Sequence, residues 1–281
     1  MTTALAPSAA VPVAPTQRPG SAATAVMTMI WASLVSFVRE PIAFVMGLLY
    51  PLFMLILFNA VFPGEMKGGI TFGEYMLPAM ITMGVLMTCT QILAISVAAE
   101  RENGELKRLA VLPAPSWAHV ASKCASNTIL ALLNAAMLIL VGHWALDIDL
   151  PDTARAWGLL AATIVLMVAT CTALGLAIGR TRPTQRAASA LVTPIVLVLQ
   201  FVSGIFFPLA QLPTWMVDSF SVLPVRWSAE LMREAFLPAT AAIAEPTGAW
   251  ETGKGLAVVA AWLVGGVVAA IIITRRDTVD R

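Results

Sequence analysis

The sequence predicts an all-α integral membrane protein, a bundle of about six bilayer-spanning helices, and two observations carry that prediction. Of 281 residues, 59% are hydrophobic and 12% charged, a balance that a water-soluble domain of this size could not disperse over its surface. The apolar residues also gather into six stretches: Ile42–Phe62, Leu77–Ala99, Cys124–Leu146, Ala156–Gly179, Ala187–Phe207 and Gly255–Thr274. None contains Asp, Glu, Lys or Arg, and each has the length of about 20 residues that crosses ~30 Å of hydrocarbon. In lipid every backbone amide must be satisfied within the segment, and the alternating pattern of a barrel strand is absent, so helix is the reading for all six. A formal charge of +1 excludes a broad basic surface, and nucleic acid is not an expected partner. Cys89, Cys124 and Cys171 are odd in number and widely spaced, which gives neither a disulfide framework nor a metal site.

Residues 1–23, with Pro7, Pro12, Pro15 and Pro19, have no apolar block behind a basic start and are expected to be a flexible tail. From Thr24 to Glu40 the residues Thr24, Thr28, Ser36 and Glu40 recur at multiples of four on an otherwise apolar helix, suited to the inner membrane interface and ending where Pro41 opens the first span. With the amino terminus cytoplasmic, twelve of the seventeen basic residues fall on the inner side, and only Lys67, Arg155, Arg226, Arg233 and Lys254 fall outside. Both termini, including the tail 275–281, are therefore expected in the cytoplasm of a multi-pass cell-membrane protein. All tryptophans except Trp262 lie at span ends or in flanking segments, as amphipathic rings prefer.

Three further sets of residues carry information on function. The inner loop runs Glu100-Arg101-Glu102-Asn103-Gly104-Glu105-Leu106-Lys107-Arg108-Leu109. As one helix it places Arg101, Glu105 and Arg108 on one face, with opposite-charge pairs worth ~0.2–0.5 kcal/mol, and Glu102, Leu106 and Leu109 on another. Gly104 at its centre costs about 1 kcal/mol relative to Ala, which suggests close approach to another backbone; a solvated connector is the alternative on spacing alone. The outer stretch 208–253 is too long for a turn. Phe206-Phe207-Pro208 breaks the fifth span, Leu212-Pro213-x-Trp215 opens a short segment, and a helix from Val225 to Phe236 carries Trp227, Leu231 and Ala235 at spacing four, with Arg226, Glu230, Arg233 and Glu234 off that stripe. Two short helices re-entering the outer leaflet fit this pattern, as does a folded outer hairpin away from any pathway. Within the spans, the uncharged polar residues Gln91, Asn127, Asn134 and Gln200 serve either as interhelical ties or as points in a substrate pathway.

The run Glu100-Arg101-Glu102-x-Gly104-x-Leu106-x-x-Leu109 with Pro113 behind it resembles the inner-loop signature of the ABC-2 type permeases. The Phe206-Phe207-Pro208, Leu212-Pro213-x-Trp215 and Leu223-Pro224 elements are similar to that family's outer region, and Arg39-Glu40-Pro41 to its entry into span one. The resemblance covers nearly all of the chain after residue 24. It implies a six-helix permease of the type V exporter kind, paired with a second permease copy or relative and with separate nucleotide-binding subunits that hold ATP and magnesium. It also implies that the loop 100–109 docks on the ATPase. The drug exporters of the daunorubicin-resistance type are the subgroup it looks most like, with lipid or polysaccharide-precursor export as the alternative.

Gly248-x-x-x-x-Gly253-Lys254-Gly255 nearly spells a phosphate-binding loop, but Gly255 stands where Ser or Thr must meet magnesium. No catalytic residue, metal site or bound cofactor is therefore expected on this chain. An ion-driven carrier would hold ionisable groups inside its spans, where only His143 stands. An intramembrane enzyme would need a nucleophile and base at one depth, and Ser203 has no such histidine.

Overall fold

The computed structural model describes residues 22–66, 68–105, 116–181 and 184–279. Helix α1 (Ala22–Arg39) stops at Glu40, whose backbone is extended (φ −92°, ψ 94°), because the ring of a following proline disfavours helical geometry there. A helical run then begins with α2 (Pro41–Phe44), loosens into a π-helical turn at Val45–Leu49 and continues as α3 (Tyr50–Val61). A hairpin of two two-residue strands, β1 (Glu65–Met66) and β2 (Ile70–Thr71), leads into the second span. That span is one rod built of α4 (Phe72–Leu86), a π-helical turn at Met87–Ile92 and α5 (Leu93–Glu102). Thr71 starts it by a reciprocal cap, its hydroxyl accepting from the Glu74 amide at 3.2 Å while the Glu74 carboxylate accepts from the Thr71 amide.

The later helices are α6 (Ser116–Leu146), α7 (Ala154–Gly179), α8 (Gln185–Val202), α9 (Thr214–Phe220), α10 (Pro224–Phe236) and α11 (Thr252–Val279). Five helices among the described residues are long and apolar enough to cross a membrane: Phe72–Glu102, Ala118–Leu146, Ala154–Gly179, Gln185–Val202 and Thr252–Ile273. The first of the six expected stretches forms a shorter apolar helix, Val45–Val61. The fifth stretch stops being helical at Val202 rather than Phe207, because Gly204 takes φ +73° and turns the chain.

The α4–α5 rod is the centre of the bundle, with 78% of its most apolar window buried, against 11% for the last helix. Glycines let α7 approach it closely. A Cβ on Gly175 would lie 2.5 Å from the carbonyl oxygen of Cys89, and one on Gly179 2.8 Å from that of Ala94, the small-residue crossing that packs membrane helices without a hydrophobic drive.

At the end where α4 and α11 begin, α9 and α10 form a hairpin that dips back into the bundle. The indole of Trp262 donates to the Val222 carbonyl at its tip at 2.6 Å, and that of Trp227 to the Ser221 carbonyl at 2.6 Å. Trp262 lies ten residues into α11, so the tip sits about 15 Å below that helix's start. Irregular backbone at such depth has to be satisfied by protein groups, which accounts for Trp262 inside a span.

Candidate functional site

The structure places the predicted site residues in three groups along the bundle. At the end of the bundle that the sequence assigns to the inner side, α5 finishes at Glu102 with Asn103 as its cap and Gly104 at φ +73°. The expected continuous helix is therefore broken, and Arg101 and Glu105 do not share a helical face. Among the described residues nothing lies within 4 Å of where a Gly104 Cβ would stand, so among them the glycine serves the left-handed turn rather than a close approach. Leu106, Lys107, Arg108 and Leu109 lie outside the described residues. The three charges before the break tie α5 to three other helices. The Lys123 ammonium of α6 donates to Glu100 Oε1, Arg101 Nη1 donates to the carbonyl of Arg180 behind α7 at 2.6 Å, and the Gln185 amide at the start of α8 donates to Glu102 Oε2 at 2.8 Å. Charge-assisted bonds of this kind are about twice as strong as neutral ones.

In the middle, Asn134 and Gln91 sit at the π-helical turns. Asn134 Nδ2 donates to the Gly47 and Leu48 carbonyls of the first turn at 3.3 and 3.5 Å. Gly84 makes room for it, since a Cβ there would be 2.0 Å from Asn134 Oδ1. Gln91 Nε2 donates to Thr193 Oγ1 of α8 at 3.1 Å, while Asn127 and Gln200 are buried. His143 Nδ1 is 3.0 Å from the Ile148 carbonyl.

The outer group departs most from expectation. Trp227, Leu231 and Ala235 are buried as the stripe implied, but Arg226, Glu230 and Arg233 are buried too, because α10 is enclosed by α4, α7 and α11. Arg233 Nε donates to Glu245 Oε1 at 2.6 Å and its Nη1 to the Gly204 carbonyl at 3.1 Å, with its guanidinium carbon 5.1 Å from the Tyr75 ring centroid. Arg226 lies 4.3 Å from the Trp227 ring centroid and 3.9 Å from Glu230. Glu230 Oε1 accepts from the Glu251 amide at 2.9 Å, and Glu234 accepts from the Thr252 hydroxyl. Burial, with the Glu245 charge, pushes the Glu230 carboxyl up to about 7 against the pull of the Glu251 amide, Arg233 and Arg226. Phe206 is buried against Phe58 and Phe201, whereas Phe207 is half-exposed. Pro208 precedes a 3₁₀ turn, Leu209–Gln211, and Pro213 caps α9, where Trp215 is exposed. Trp215 and Trp227 thus occupy different environments, the first exposed and the second buried. Sequence reasoning missed this ion network, for which the available signal was four charges within nine residues of a tryptophan-bearing helix.

The sequence matches the family described as ABC-2 type transporter over residues 24–237. It is 26% identical over 163 residues to the proteins named probable multidrug ABC transporter permease YbhR of Escherichia coli strain K12 and of Escherichia coli O157:H7. The aligned stretch is 58% of this chain and spans less than half, 44%, of those relatives.

Proposed function

The chain belongs to the ABC-2 type transporter family, and from that premise we propose that it is the membrane subunit of a pump whose ATP is hydrolysed on a separate nucleotide-binding subunit. A second copy or relative of this chain completes the pathway, ATP and magnesium stay on the partner, and both termini face the cytoplasm of the cell membrane. The exported substrate is a hydrophobic or amphipathic small molecule of the drug or antibiotic class, a reading supported by the word multidrug in the names of the two relatives. A lipid or polysaccharide precursor is the alternative cargo.

One observation carries the mechanism. Glu100, Arg101 and Glu102 bind α5 to the inner ends of α6, α7 and α8 immediately before the Gly104 break. A displacement of the loop beyond Gly104 by a closing ATPase is therefore transmitted to four helices at once, and through the rigid α4–α5 rod to the hairpin that plugs the far end. The test is co-purification of a co-expressed nucleotide-binding subunit with Gly104→Trp and Glu105→Lys, alongside membrane expression of each variant. Glu105 is exposed, whereas reversing Glu102 would also break its cap on α8. Gly104→Asn, which tolerates a left-handed backbone, serves as the conformational control. Association and transport are expected to fall together in Gly104→Trp and Glu105→Lys; normal values in both would remove the docking role.

A further inference from the structure

At the inner end of the bundle, α1, α5 and α6 enclose a cavity of about 400 Å³, within the range of small-molecule sites, and of the interhelical ties described above the Lys123–Glu100 pair lies on its wall. Its chemistry is one-sided. Glu40 from the end of α1, Glu100 from α5 and Glu105 beyond the Gly104 turn all line it, against one ammonium among the described residues, Lys123, which is already held by Glu100. His119, the other titratable group on its wall, has Nε2 3.6 Å from Glu100 Oε2, and neither atom has a hydrogen-bond partner among the described residues. Three of the five serine hydroxyls of the wall donate to backbone carbonyls. Ser122 Oγ donates to the His119 carbonyl at 2.8 Å, Ser126 Oγ to that of Ser122 at 2.7 Å and Ser96 Oγ to that of Leu93 at 3.0 Å, so what they present to a ligand is lone pairs.

A second, independent feature is Asn127. It is only 6% exposed and lines the same cavity, yet its amide nitrogen has no partner among the described residues. A buried donor left unpaired is destabilising, and an oxygen of a bound molecule would satisfy it. Phe37, Ile92 and Leu130 supply an apolar wall, while Glu40 and Glu105 are exposed at the solvent side.

We propose that this cavity is a binding site, within one subunit, for a cationic amphipath: a protonated amine held by the acidic mouth, an oxygen acceptor beside it bonded to Asn127, and an apolar body against Phe37, Ile92 and Leu130. The transporter reading is needed only for the fate of such a ligand, since binding is measured without the ATPase. The experiment uses the purified permease in nanodiscs, with dansylcadaverine as the probe, its N-acetylated neutral form as the control and empty nanodiscs as the lipid background. The amine is expected to bind about tenfold more tightly than its acetylated form, the size of a charge-assisted bond. Glu40→Gln should remove most of that difference, and Ser33→Phe, which fills the cavity, should abolish saturable binding of both while leaving monodisperse elution and ATPase association intact. Equal affinity for the two dyes, or wild-type binding by Ser33→Phe, overturns the site. Loss of the site with normal ATPase association leaves the permease assignment standing, and the expected binding pattern with no ATPase association does the reverse.

Discussion

Arg233 shows how a charge that reads as peripheral in the sequence becomes a structural centre. Fully buried between Glu245, the Gly204 carbonyl and the Tyr75 ring, it joins the end of α8, the start of α4, α10 and the segment before α11. Removing one member of a buried pair leaves the other uncompensated, at a cost of ~3–5 kcal/mol, whereas apolar replacement of both is far milder. Arg233→Met and Glu245→Leu should each lower the thermal midpoint of the detergent-solubilised protein, and the double variant should recover much of the loss. Midpoint shifts that simply add would show that the two side chains act independently. Glu230 gives a pH dependence of opposite sign to that of an ordinary paired carboxylate. Its folded value near 7 lies above the unfolded value of 4.5, so the folded state binds the extra proton, and stability falls as pH rises from about 4.5 through 7. Glu230→Gln should flatten the midpoint across that window; an unchanged slope would place the titration elsewhere.

Among the elements, the crossing of α7 with the α4–α5 rod is set by glycines rather than by large side chains. Gly175→Leu would drive a side chain into the Cys89 carbonyl, 2.5 Å from its Cβ, and should sharply reduce monodisperse protein recovered from membranes. Gly265, with nothing within 4 Å, is the matched control on α11: Gly265→Ala should be neutral, or stabilising by up to about 1 kcal/mol through helix propensity. Equal recovery of the two variants would mean that the crossing is not close-packed. The re-entrant hairpin was legible as a pair of short helices from Pro208, Pro213 and Pro224. Its depth was not, because depth follows from which indole reaches which carbonyl, and Trp262 and Val222 are 40 residues apart. For the same reason the inner loop misled: helical spacing places Arg101 and Glu105 together, but the chain spends Gly104 on a left-handed turn after three charges that bond to other helices.

For the molecule as a whole, orientation is a prediction that the sequence makes and labelling can decide. Twelve of seventeen basic residues on one side predict that, with Cys89, Cys124 and Cys171 replaced, a cysteine at Glu105 reacts only from the cytoplasm and one at Asp149 only from outside. Both positions are exposed, so reaction of both from one face would sink the topology. The two ends differ in kind. The end where α5 finishes is a knot of charged ties beside a cavity, and the end where α4 begins is a hairpin held by buried ion pairs, with the α4–α5 rod running between them.

The sequence by itself determined the solvent, the helical class and the approximate places of the crossings, because these follow from local apolar length and from the need to satisfy each backbone amide within its own segment. It also carried the family, through motifs that stand close together in the chain. The tertiary structure alone decided which charges are buried, that Glu100, Arg101 and Glu102 bond to other helices, and that Asn134 bonds to the carbonyls of Gly47 and Leu48. The bonds of Glu100, Arg101, Glu102 and Asn134 reach partners 23 to 87 residues away, and no periodicity within a helix encodes what the opposite wall will present.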